Sequence, residues 1–548
     1  MKGRNRVLVI GLDGATFSLI DPWVEEGYLP NLHHIIKEGA RGDLKSTVPY
    51  ITSTAWSSFI TGKNPGKHGI MDFAIREPRS HDIRLLNASD IGGSTLWTLL
   101  SKGGKRPVVL NCPMTYPPQR VNGFLVSGML TPSLRSPFTY PPSLREALLE
   151  RVPDYRIEPA VATSDRLRTK REMTEGAIIG AKAREDAAYL LMEQLPDWDF
   201  FMIVFIEPDR IQTYLWDDMD PSHPRHDPSS PVRDSILAHY RQLDAIIGDL
   251  LERVLDGRTT VFILSDHGFW GVHRFIYPNR WLEREGYLHL KGGGGIELFK
   301  KVLRKSGLAG PAKRLLSRFS PSLALTTQWR SVAFTRNIDW SRTRVFWGAD
   351  NGFSINLKER EPEGIVEPGS AYDSLREEII ERFSQLEDPV TGERVVERVL
   401  KREEIYQGPF VERSPDLRVI WKEYPEQRKT YFSAGELWSN EIFGQTNQSG
   451  DHALHGLLLA HGNHIRRGTI ASAQIMDLAP TILYLLDLPI PEDMDGKVLL
   501  DCLDDDLTST RPIRYAAPSD TGTEVGGSYS EEEKEELRKR LRGLGYLD

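Results

Sequence analysis

The chain has 548 residues, a hydrophobic fraction of 39% and a formal net charge of -8 at pH 7. This length predicts either one large domain with an elaborate insertion or two to three domains. Acidic and basic residues are mixed along the chain, which argues against a nucleic-acid binder or a membrane-surface binder and favours a small partner. Because Cys112 and Cys502 are the only cysteines, we expect no disulfide framework, no CxxC metal site and a reducing compartment.

The first twenty residues predict a buried strand and a turn rather than a secretion signal. Basic residues precede an apolar stretch, as in a signal peptide, but Asp13 interrupts that stretch. We therefore expect a cytoplasmic protein. No run of about eighteen apolar residues occurs in the chain, so the sequence predicts no membrane span.

From residue 5 to residue 290, strand-like runs alternate with helical patterns. The strand-like runs are VLVIGL, RPVVLN, FFMIVFI and TTVFILS, and the clearest helical patterns cover residues 168–195 and 232–255. Strands that alternate with helices are typical of an α/β fold with a parallel sheet.

The pattern changes between residues 290 and 335. The glycines at 292–295 predict a flexible linker, because no GK[ST] sequence follows to form a phosphate loop. The next stretch, LFKKVLRKSGLAGPAKRLLSRF, places Lys and Arg between apolar residues at helical spacing. We interpret this stretch as a solvated helix on an inserted lid; the alternative is a docking surface for an anionic substrate or a lipid.

Beyond residue 336 the pattern predicts short strands and turns and a charged helix at about 372–386, and then a return to α/β structure. LHGLLLAHG predicts a strand and MDLAPTILYLLDL a helix, and the tail predicts a short amphipathic helix that ends at Gly543. We divide the chain into a first core part, an inserted cap, a last core part and a C-terminal tail. These parts cover residues 1–290, 291–430, 431–500 and 501–548.

Five segments carry side chains that can hold a divalent metal. Three of them follow buried strand-like runs, so their carboxylates should meet at the carboxyl edge of one sheet, where open α/β sheets place active sites. Asp and His with few thiols suit zinc or manganese, and clustered carboxylates repel one another unless a cation is present. The segments supply Asp13, Thr52, Asp209, the adjacent pair Asp266 and His267, and His452.

Thr52 precedes a predicted helix in the sequence ITSTAWSSFITG. A hydroxyl at a helix N-terminus is usually a structural cap. The same position can also lower the pKa of the hydroxyl and hold a phosphate. The other candidate metal ligands of the chain favour the second interpretation.

The segments IGLDGAT, ITSTAW with TGKNPGKHGIMDF, EPDRIQ, SDHGF and GDHALHG occur in that order. Together they resemble the alkaline phosphatase superfamily, specifically its type I phosphodiesterase and nucleotide pyrophosphatase branch, over nearly the whole chain. The resemblance implies a doubly wound, mostly parallel sheet flanked by helices, with the inserted cap over the metal edge. It also implies a metal-dependent hydrolase of phosphodiesters or pyrophosphates that acts on a small phosphate ester.

In that family two metals, usually zinc, lie about 4 Å apart. By the resemblance Thr52 is the nucleophile and forms a phospho-threonine intermediate. The second metal would use Asp209, the residue four positions after it, and His452. At that fourth position this chain has Thr213 instead of the family's histidine. A neutral hydroxyl is a poorer zinc ligand, which leaves manganese, magnesium or a borrowed group as alternatives. By the same resemblance, the first metal would be held by Asp13, Thr52, Asp266 and His267.

Two further positions bear on the ligand set. Phe73 stands where nucleotide pyrophosphatases have a phosphate-holding Asn, so a nucleotide substrate is not implied. His223 and His226 could replace the missing histidine only if their loop folds back. We interpret the other histidines near these motifs as structural: His68, His273, His455, His461 and His464.

Three other functions are alternatives to the hydrolase. One is a phosphotransferase related to the cofactor-independent phosphoglycerate mutases, whose nucleophile is a Ser. Another, a sulfatase, is disfavoured because Cys112 lies in NCPMTYP rather than in CxPxR. The last is a non-catalytic binding protein in which Thr213 has impaired metal capture.

Overall fold

A computed structural model of the chain describes residues 4–159, 167–291, 337–348, 350–433, 441–444, 448–518 and 529–543. The predicted glycine linker and basic helix lie outside the described residues. No helix within the described ranges is both long enough and apolar enough to cross a membrane.

The first part of the chain alternates strands and helices. Its elements are β1 (Arg6–Leu12), α1 (Phe17–Glu25), α2 (Pro30–Glu38), β2 (Ala40–Lys45), α3 (Thr52–Thr61), α4 (Pro65–His68), β3 (Ala74–Arg76), β4 (Ile83–Leu85), α5 (Leu96–Lys102), β5 (Pro107–Leu110), β6 (Phe124–Val126), β7 (Thr139–Tyr140) and α6 (Leu144–Arg151). They are followed by α7 (Leu167–Gln194), β8 (Phe200–Phe205), α8 (Glu207–Met219), α9 (Ser235–Val254), β9 (Thr259–Leu264), β10 (Gly268–Ile276) and α10 (Pro278–Arg284).

The second part of the chain has shorter elements. They begin with β11 (Val345–Trp347), β12 (Gly352–Ile355), α11 (Ser370–Phe383), β13 (Val396–Lys401), α12 (Arg402–Ile405), β14 (Leu417–Trp421), β15 (Lys429–Ser433) and β16 (Phe443–Gly444). The remaining elements are β17 (Gly450–Ala453), β18 (His455–Gly462), β19 (Gly468–Thr469), β20 (Ala473–Gln474), α13 (Leu478–Leu485), β21 (Ile490–Pro491), α14 (Asp505–Thr510), β22 (Tyr515–Ala516) and α15 (Glu531–Gly543).

A ten-stranded sheet forms the centre of the core, in the order β19-β2-β18-β9-β1-β8-β5-β6-β7 with β20 beside β2. The strands from β9 to β6 run parallel, and Val9 of β1 pairs with Met202 of β8 and with Phe262 of β9. β18 is antiparallel to both β9 and β2. The four apolar runs of the sequence are thus the four central parallel strands, and the predicted α/β fold with a mostly parallel sheet is confirmed.

Alternate residues of β1 face two hydrophobic layers. Leu8 and Ile10 pack into a layer that includes α1, α2, α7 and α9, whereas Val7 and Val9 pack into a layer that includes α3, α5 and α13. Helices therefore cover both faces of the sheet, which explains why its central strands read as continuous apolar runs. The helices predicted from sequence at 168–195 and 232–255 are α7 and α9, and the tail helix is α15, which ends at Gly543 as predicted.

A separate four-stranded sheet, β11-β12-β14-β13, packs with α10 and α11 around a third hydrophobic layer that contains Trp281, Phe353 and Phe383. A third sheet of four strands joins β15, β10, β16 and β17. In this sheet β17 lies antiparallel to β10 and pairs His452 with Phe269. β10 begins at the end of the central sheet, so this pairing brings the late GDH segment beside the carboxyl ends of β1, β8 and β9. The division into four parts stays a prediction.

Candidate metal centre

The three acidic segments meet at one edge of the central sheet. Asp13 follows β1 directly, Asp266 follows β9 after one residue, and Asp209 lies in the first turn of α8, just beyond β8. Because β8, β1 and β9 are adjacent and parallel, their carboxyl ends bring the three carboxylates together, as the sequence predicts.

The remaining side chains arrive from outside these strands. His267 follows Asp266, His452 comes from β17, and Thr52 is the first residue of α3. The cap of α3 is Ile51, so the Thr52 hydroxyl does not occupy the capping position. Thr52 is 1% exposed and His452 is 7% exposed, and the other four predicted residues are equally buried.

The first cluster joins Asp13, Asp266 and His267, whose ligand atoms lie within 4.8 Å of one another. His267 Nε2 is 3.5 Å from Asp13 Oδ1 and 3.3 Å from Asp266 Oδ2. Thr52 Oγ1 lies 3.4 Å from the same nitrogen. The structure thus brings together the four residues that the resemblance assigns to one metal.

The second cluster joins Asp209, His267 and His452 within the same 4.8 Å limit. His452 Nε2 is 2.9 Å from Asp209 Oδ1. The two imidazole rings stack with their centroids 3.7 Å apart. His267 therefore belongs to both clusters, and the two form one continuous group.

Backbone carbonyls fix the orientation of both imidazoles. The Nδ1–H of His267 donates to the carbonyl of Gly268, and the Nδ1–H of His452 donates to the carbonyl of Tyr50, each over 3.0 Å. With Nδ1 protonated, a neutral imidazole presents its Nε2 lone pair to the carboxylate oxygens. Acceptors that face acceptors need a proton or a cation between them, and this anchoring of the opposite ring nitrogen is typical of metal-binding histidines.

The carboxylates of Asp13 and Asp266 are each anchored through one oxygen. Asp13 Oδ2 accepts from Trp56 Nε1 over 3.2 Å, and Asp266 Oδ1 accepts from the amide of Gly14 over 3.3 Å. Their other oxygens, Asp13 Oδ1 and Asp266 Oδ2, are buried and accept no hydrogen bond from any described residue. Such oxygens suit a cation, so the residues present fit a divalent metal.

The electrostatics of the first cluster agree with this fit. Burial and the neighbouring Asp266 raise the pKa of Asp13 well above its usual value. Burial and the neighbouring Asp209 raise the pKa of Asp266 to about 8. A divalent cation would offset the repulsion that, together with burial, raises both pKa values.

Asp209 has a different environment. Arg210 Nη1 donates to Asp209 Oδ2 over 2.5 Å. Burial raises the pKa of Asp209, but Arg210 and His452 outweigh burial and hold that pKa at about 2. Burial lowers the pKa of His452, but the hydrogen bond with Asp209 raises it to about 9. Asp209 is therefore ionised at neutral pH.

Thr213 lies one helical turn after Asp209. Its hydroxyl donates to the backbone carbonyl of Asp209 over 2.9 Å, and the residue is 8% exposed. His223 and His226 bond to the carbonyls of Val272 and Asp217, and the metal-type clusters found among the described residues include neither histidine. The loop therefore does not supply the histidine that α8 lacks.

The other singled-out residues lie outside the centre. Phe73 is fully buried in an apolar layer. His68 Nδ1 accepts from the amide of Ile70 and its Nε2–H donates to Ser58, so this histidine holds a turn, as predicted. The metal-type clusters among the described residues also omit His273, His455, His461 and His464.

Sequence reasoning missed the residues that support the ligands. Trp56 and Tyr50 flank Thr52 and act on Asp13 and His452, and Arg210 follows Asp209 directly. An arginine directly after a predicted ligand is a sequence signal that could have identified Arg210 as a partner of Asp209. The role of the Tyr50 carbonyl leaves no trace in the sequence, because any residue can supply it.

A family model described as type I phosphodiesterase / nucleotide pyrophosphatase matches residues 7–426. Among solved structures, the chain is similar to phosphonoacetate hydrolase from Sinorhizobium meliloti 1021 in complex with phosphonoformate, at 13% identity and a TM-score of 0.51 over 88% of this chain and 95% of that chain. It is also similar to wild-type alkaline phosphatase PafA, at 13% identity and a TM-score of 0.51 over 92% of this chain and 100% of that chain.

Murine ectonucleotide pyrophosphatase / phosphodiesterase 5 aligns at 15% identity with a TM-score of 0.48, over 91% of this chain and 100% of that chain. A comparison with curated proteins finds no significant match. At these identities, the likeness to the hydrolase and the phosphatase concerns the fold alone.

Proposed function

Because the chain belongs to the type I phosphodiesterase / nucleotide pyrophosphatase family, we propose that it hydrolyses phosphoric esters, with Thr52 as its nucleophile and two divalent cations. The observation that carries the proposal is the set of unsatisfied acceptors around Thr52. Two buried carboxylate oxygens there, Asp13 Oδ1 and Asp266 Oδ2, have no hydrogen-bond donor among the described residues, and His267 Nε2 lies 3.3 Å from the second of them. Fold stability alone gives no reason to bury such a set.

The described residues divide naturally between two cations. Asp13, Asp266 and His267 would hold one of them beside the Thr52 hydroxyl, and Asp209 and His452 would hold the other. When bound, the cations would polarise the phosphoryl oxygens and stabilise negative charge on the attacking and leaving oxygens. Zinc is the expected metal, with manganese or magnesium as alternatives at the site that has Thr213.

The chemistry of Thr52 follows from its place at the start of α3. Thr52 Oγ attacks phosphorus, so the Oγ–P bond forms while the bond from phosphorus to the alcohol oxygen breaks. The alcohol leaves with that electron pair and takes up a proton. Water then attacks the phospho-threonine, which releases the phosphate product and restores the hydroxyl. The first amides of this ten-residue helix favour negative charge at the reacting oxygens.

One competing function is a non-catalytic protein that binds the second cation poorly. It is favoured by Thr213, which replaces the histidine that the family has at this position. The ionised Asp209 and the oriented His452 argue against full loss of that site, because both ligands are still in place. The phosphotransferase alternative gains no support from a described residue. Hydrolysis is therefore the function that the geometry supports best.

The test is hydrolysis of bis(4-nitrophenyl) phosphate and 4-nitrophenyl phosphate by zinc-loaded and manganese-loaded protein. Thr52→Ala should lose at least about a thousandfold in kcat, as removal of a nucleophile does elsewhere, while it still binds metal. Thr61→Ala, at the other end of α3, is the matched control and should keep the activity. Inactive wild-type protein with both metals and both esters would contradict the proposal, as would a fully active Thr52→Ala variant.

A further inference from the structure

The residues that lead to Thr52 form neither a strand nor a helix. β2 ends at Lys45 and α3 begins at Thr52, and residues 46–51 connect the two; they are called the approach segment below. A segment without regular structure takes its conformation from the groups that bond its backbone. The direction in which α3 begins, and with it the place of the Thr52 hydroxyl, therefore depends on those groups.

Two hydrogen bonds anchor the approach segment from the core. The amide of Ser46 donates to the carbonyl of Leu454, which lies between β17 and β18, over 2.9 Å. The Nδ1–H of His452 donates to the carbonyl of Tyr50 over 3.0 Å. These bonds hold the beginning and the end of the segment close to the metal centre.

The middle of the approach segment is held from the separate four-stranded sheet. The hydroxyl of Tyr406 donates to the carbonyl of Val48 over 2.6 Å. Tyr406 is 2% exposed and lies in the connection between β13 and β14, directly after α12. A buried hydroxyl that has lost its water needs a partner, and a carbonyl can only accept, so the hydroxyl proton points at Val48. The bond thus couples the approach segment to an element outside the central sheet.

Tyr406 is itself held by its surroundings. Its amide donates to the carbonyl of Arg402 over 2.9 Å, and the guanidinium of Arg402 donates to the carbonyl of Ser414 over 3.3 Å. Burial raises the pKa of Tyr406, and Arg418 and Ser414, which lie beside its hydroxyl, partly offset that rise. A fixed cation beside a hydroxyl polarises it as a donor, which strengthens the bond to Val48.

The same connection also bonds the chain beyond the other end of α3. The amide of Gln407 donates to Asn64 Oδ1 over 3.1 Å, and the amide of Phe410 donates to the carbonyl of Gly66 over 2.9 Å. A Cβ on Gly66 would lie 2.6 Å from the carbonyl oxygen of Gln407, so this close approach requires glycine. Residues 406–410 therefore bond the chain both before and after the helix that carries the nucleophile.

We propose that Tyr406 is a positioning residue for Thr52, because its bond to Val48 sets the start of α3. The inference rests on the proposed hydrolase function and deepens it. The hydroxyl of Tyr406 bonds the backbone rather than a candidate metal ligand, so it acts through residues 48–52. It keeps Thr52 Oγ1 beside His267 Nε2, 3.4 Å away.

Tyr406→Phe tests the inference, because it removes the hydroxyl and keeps the ring. With the metal-loaded full chain and bis(4-nitrophenyl) phosphate, we expect kcat to fall about tenfold or more, since small displacements of a reacting group are costly. KM and zinc affinity should stay near the wild-type values, because the candidate ligands are unchanged. An unchanged kcat, or a loss that appears only in KM or in zinc affinity, would overturn the inference.

Tyr484→Phe is the matched control. Tyr484 is also 2% exposed, and its hydroxyl donates to a backbone carbonyl, that of Arg511, over 2.7 Å. The two variants therefore lose a hydrogen bond of the same kind, and urea unfolding should show similar losses of stability. Tyr484→Phe should keep the wild-type kcat. An equal fall of kcat in both variants would mean that Tyr406 has a structural role only, and would refute the inference.

If the wild type hydrolyses neither nitrophenyl ester, the proposed function fails, and the inference is then tested by hydrogen exchange. Mass spectrometry of peptides that cover residues 46–55 measures how readily their amides open to solvent. Exchange in these peptides should be faster in Tyr406→Phe than in the wild type and in Tyr484→Phe. Equal exchange in the three proteins would refute the role of Tyr406 in holding the approach segment.

Discussion

His452 Nε2 lies 2.9 Å from Asp209 Oδ1, although His452 already donates its Nδ1 proton to the carbonyl of Tyr50. The pair combines a residue from the turn after β8 with one from β17, separated by 243 positions in the chain. Its geometry requires either a protonated imidazole or a cation between the two atoms. The pair thus fits the second cation position of the proposed function, even though the histidine expected four residues after Asp209 is replaced.

Thr213→His should increase zinc affinity at that position. An imidazole is a far better zinc ligand than a hydroxyl, and Thr213 already lies one turn from Asp209 on α8. Loss of a partner that only orients a ligand costs about 10–100-fold in affinity, so a direct ligand should gain at least tenfold. Competition with a chromophoric chelator measures the gain.

Thr213→Ser is the control for this prediction, because it keeps the hydroxyl and adds no nitrogen ligand. Its zinc affinity should match that of the wild type. An unchanged affinity in Thr213→His would mean that residue 213 does not face the cation and that α8 presents another group there.

The sequence was sufficient to predict the acidic edge of the centre. Asp13, Asp209 and Asp266 each follow a run of buried residues, and neighbouring parallel strands must end at the same edge. The position of His452 could not be predicted in this way, because it depends on the antiparallel pairing of β17 with β10. That pairing joins Phe269 to His452, which are far apart in the chain, and it has no local sequence signal.

A group of aromatic residues near His452 shows the same limit of sequence reasoning. Trp347, Trp421 and Tyr50 meet only because β11 and β14 pair through β12 and pack beside the segment that leads to α3. Their spacing in the chain is irregular, so no sequence pattern groups them. Long-range packing, rather than local propensity, built this part of the molecule.

Asp72→Asn should remove a loss of stability that occurs as the pH rises. Asp72 is 3% exposed, and burial raises its pKa to about 7, although the amide of Phe73 and the side chain of Asn351 donate to it. With a folded-state pKa above the unfolded value, the folded state binds the extra proton. Stability therefore falls as the pH rises from about 4 to about 7, by up to about 4 kcal/mol.

Urea unfolding at several pH values from 4 to 8 measures this effect. The free energy of unfolding of Asp72→Asn should decline less over this interval than that of the wild type, since the amide does not titrate. Asp82→Asn, an exposed acid in the neighbouring hairpin, should follow the wild-type profile. Identical profiles for Asp72→Asn and wild type would show that Asp72 titrates near its ordinary pKa.

Trp56→Phe should weaken metal binding while the fold is retained. The indole Nε1 of Trp56 anchors Asp13 Oδ2 over 3.2 Å and leaves Oδ1 for the cation, and phenylalanine keeps most of the apolar contact without the donor. Loss of such an orienting hydrogen bond costs about 10–100-fold in metal affinity. Trp97→Phe is the matched control, because Trp97 is equally buried and donates to Gln119, outside the centre. Equal metal affinities for both variants would mean that Asp13 is held in place without Trp56, and that packing against β1 alone sets its position.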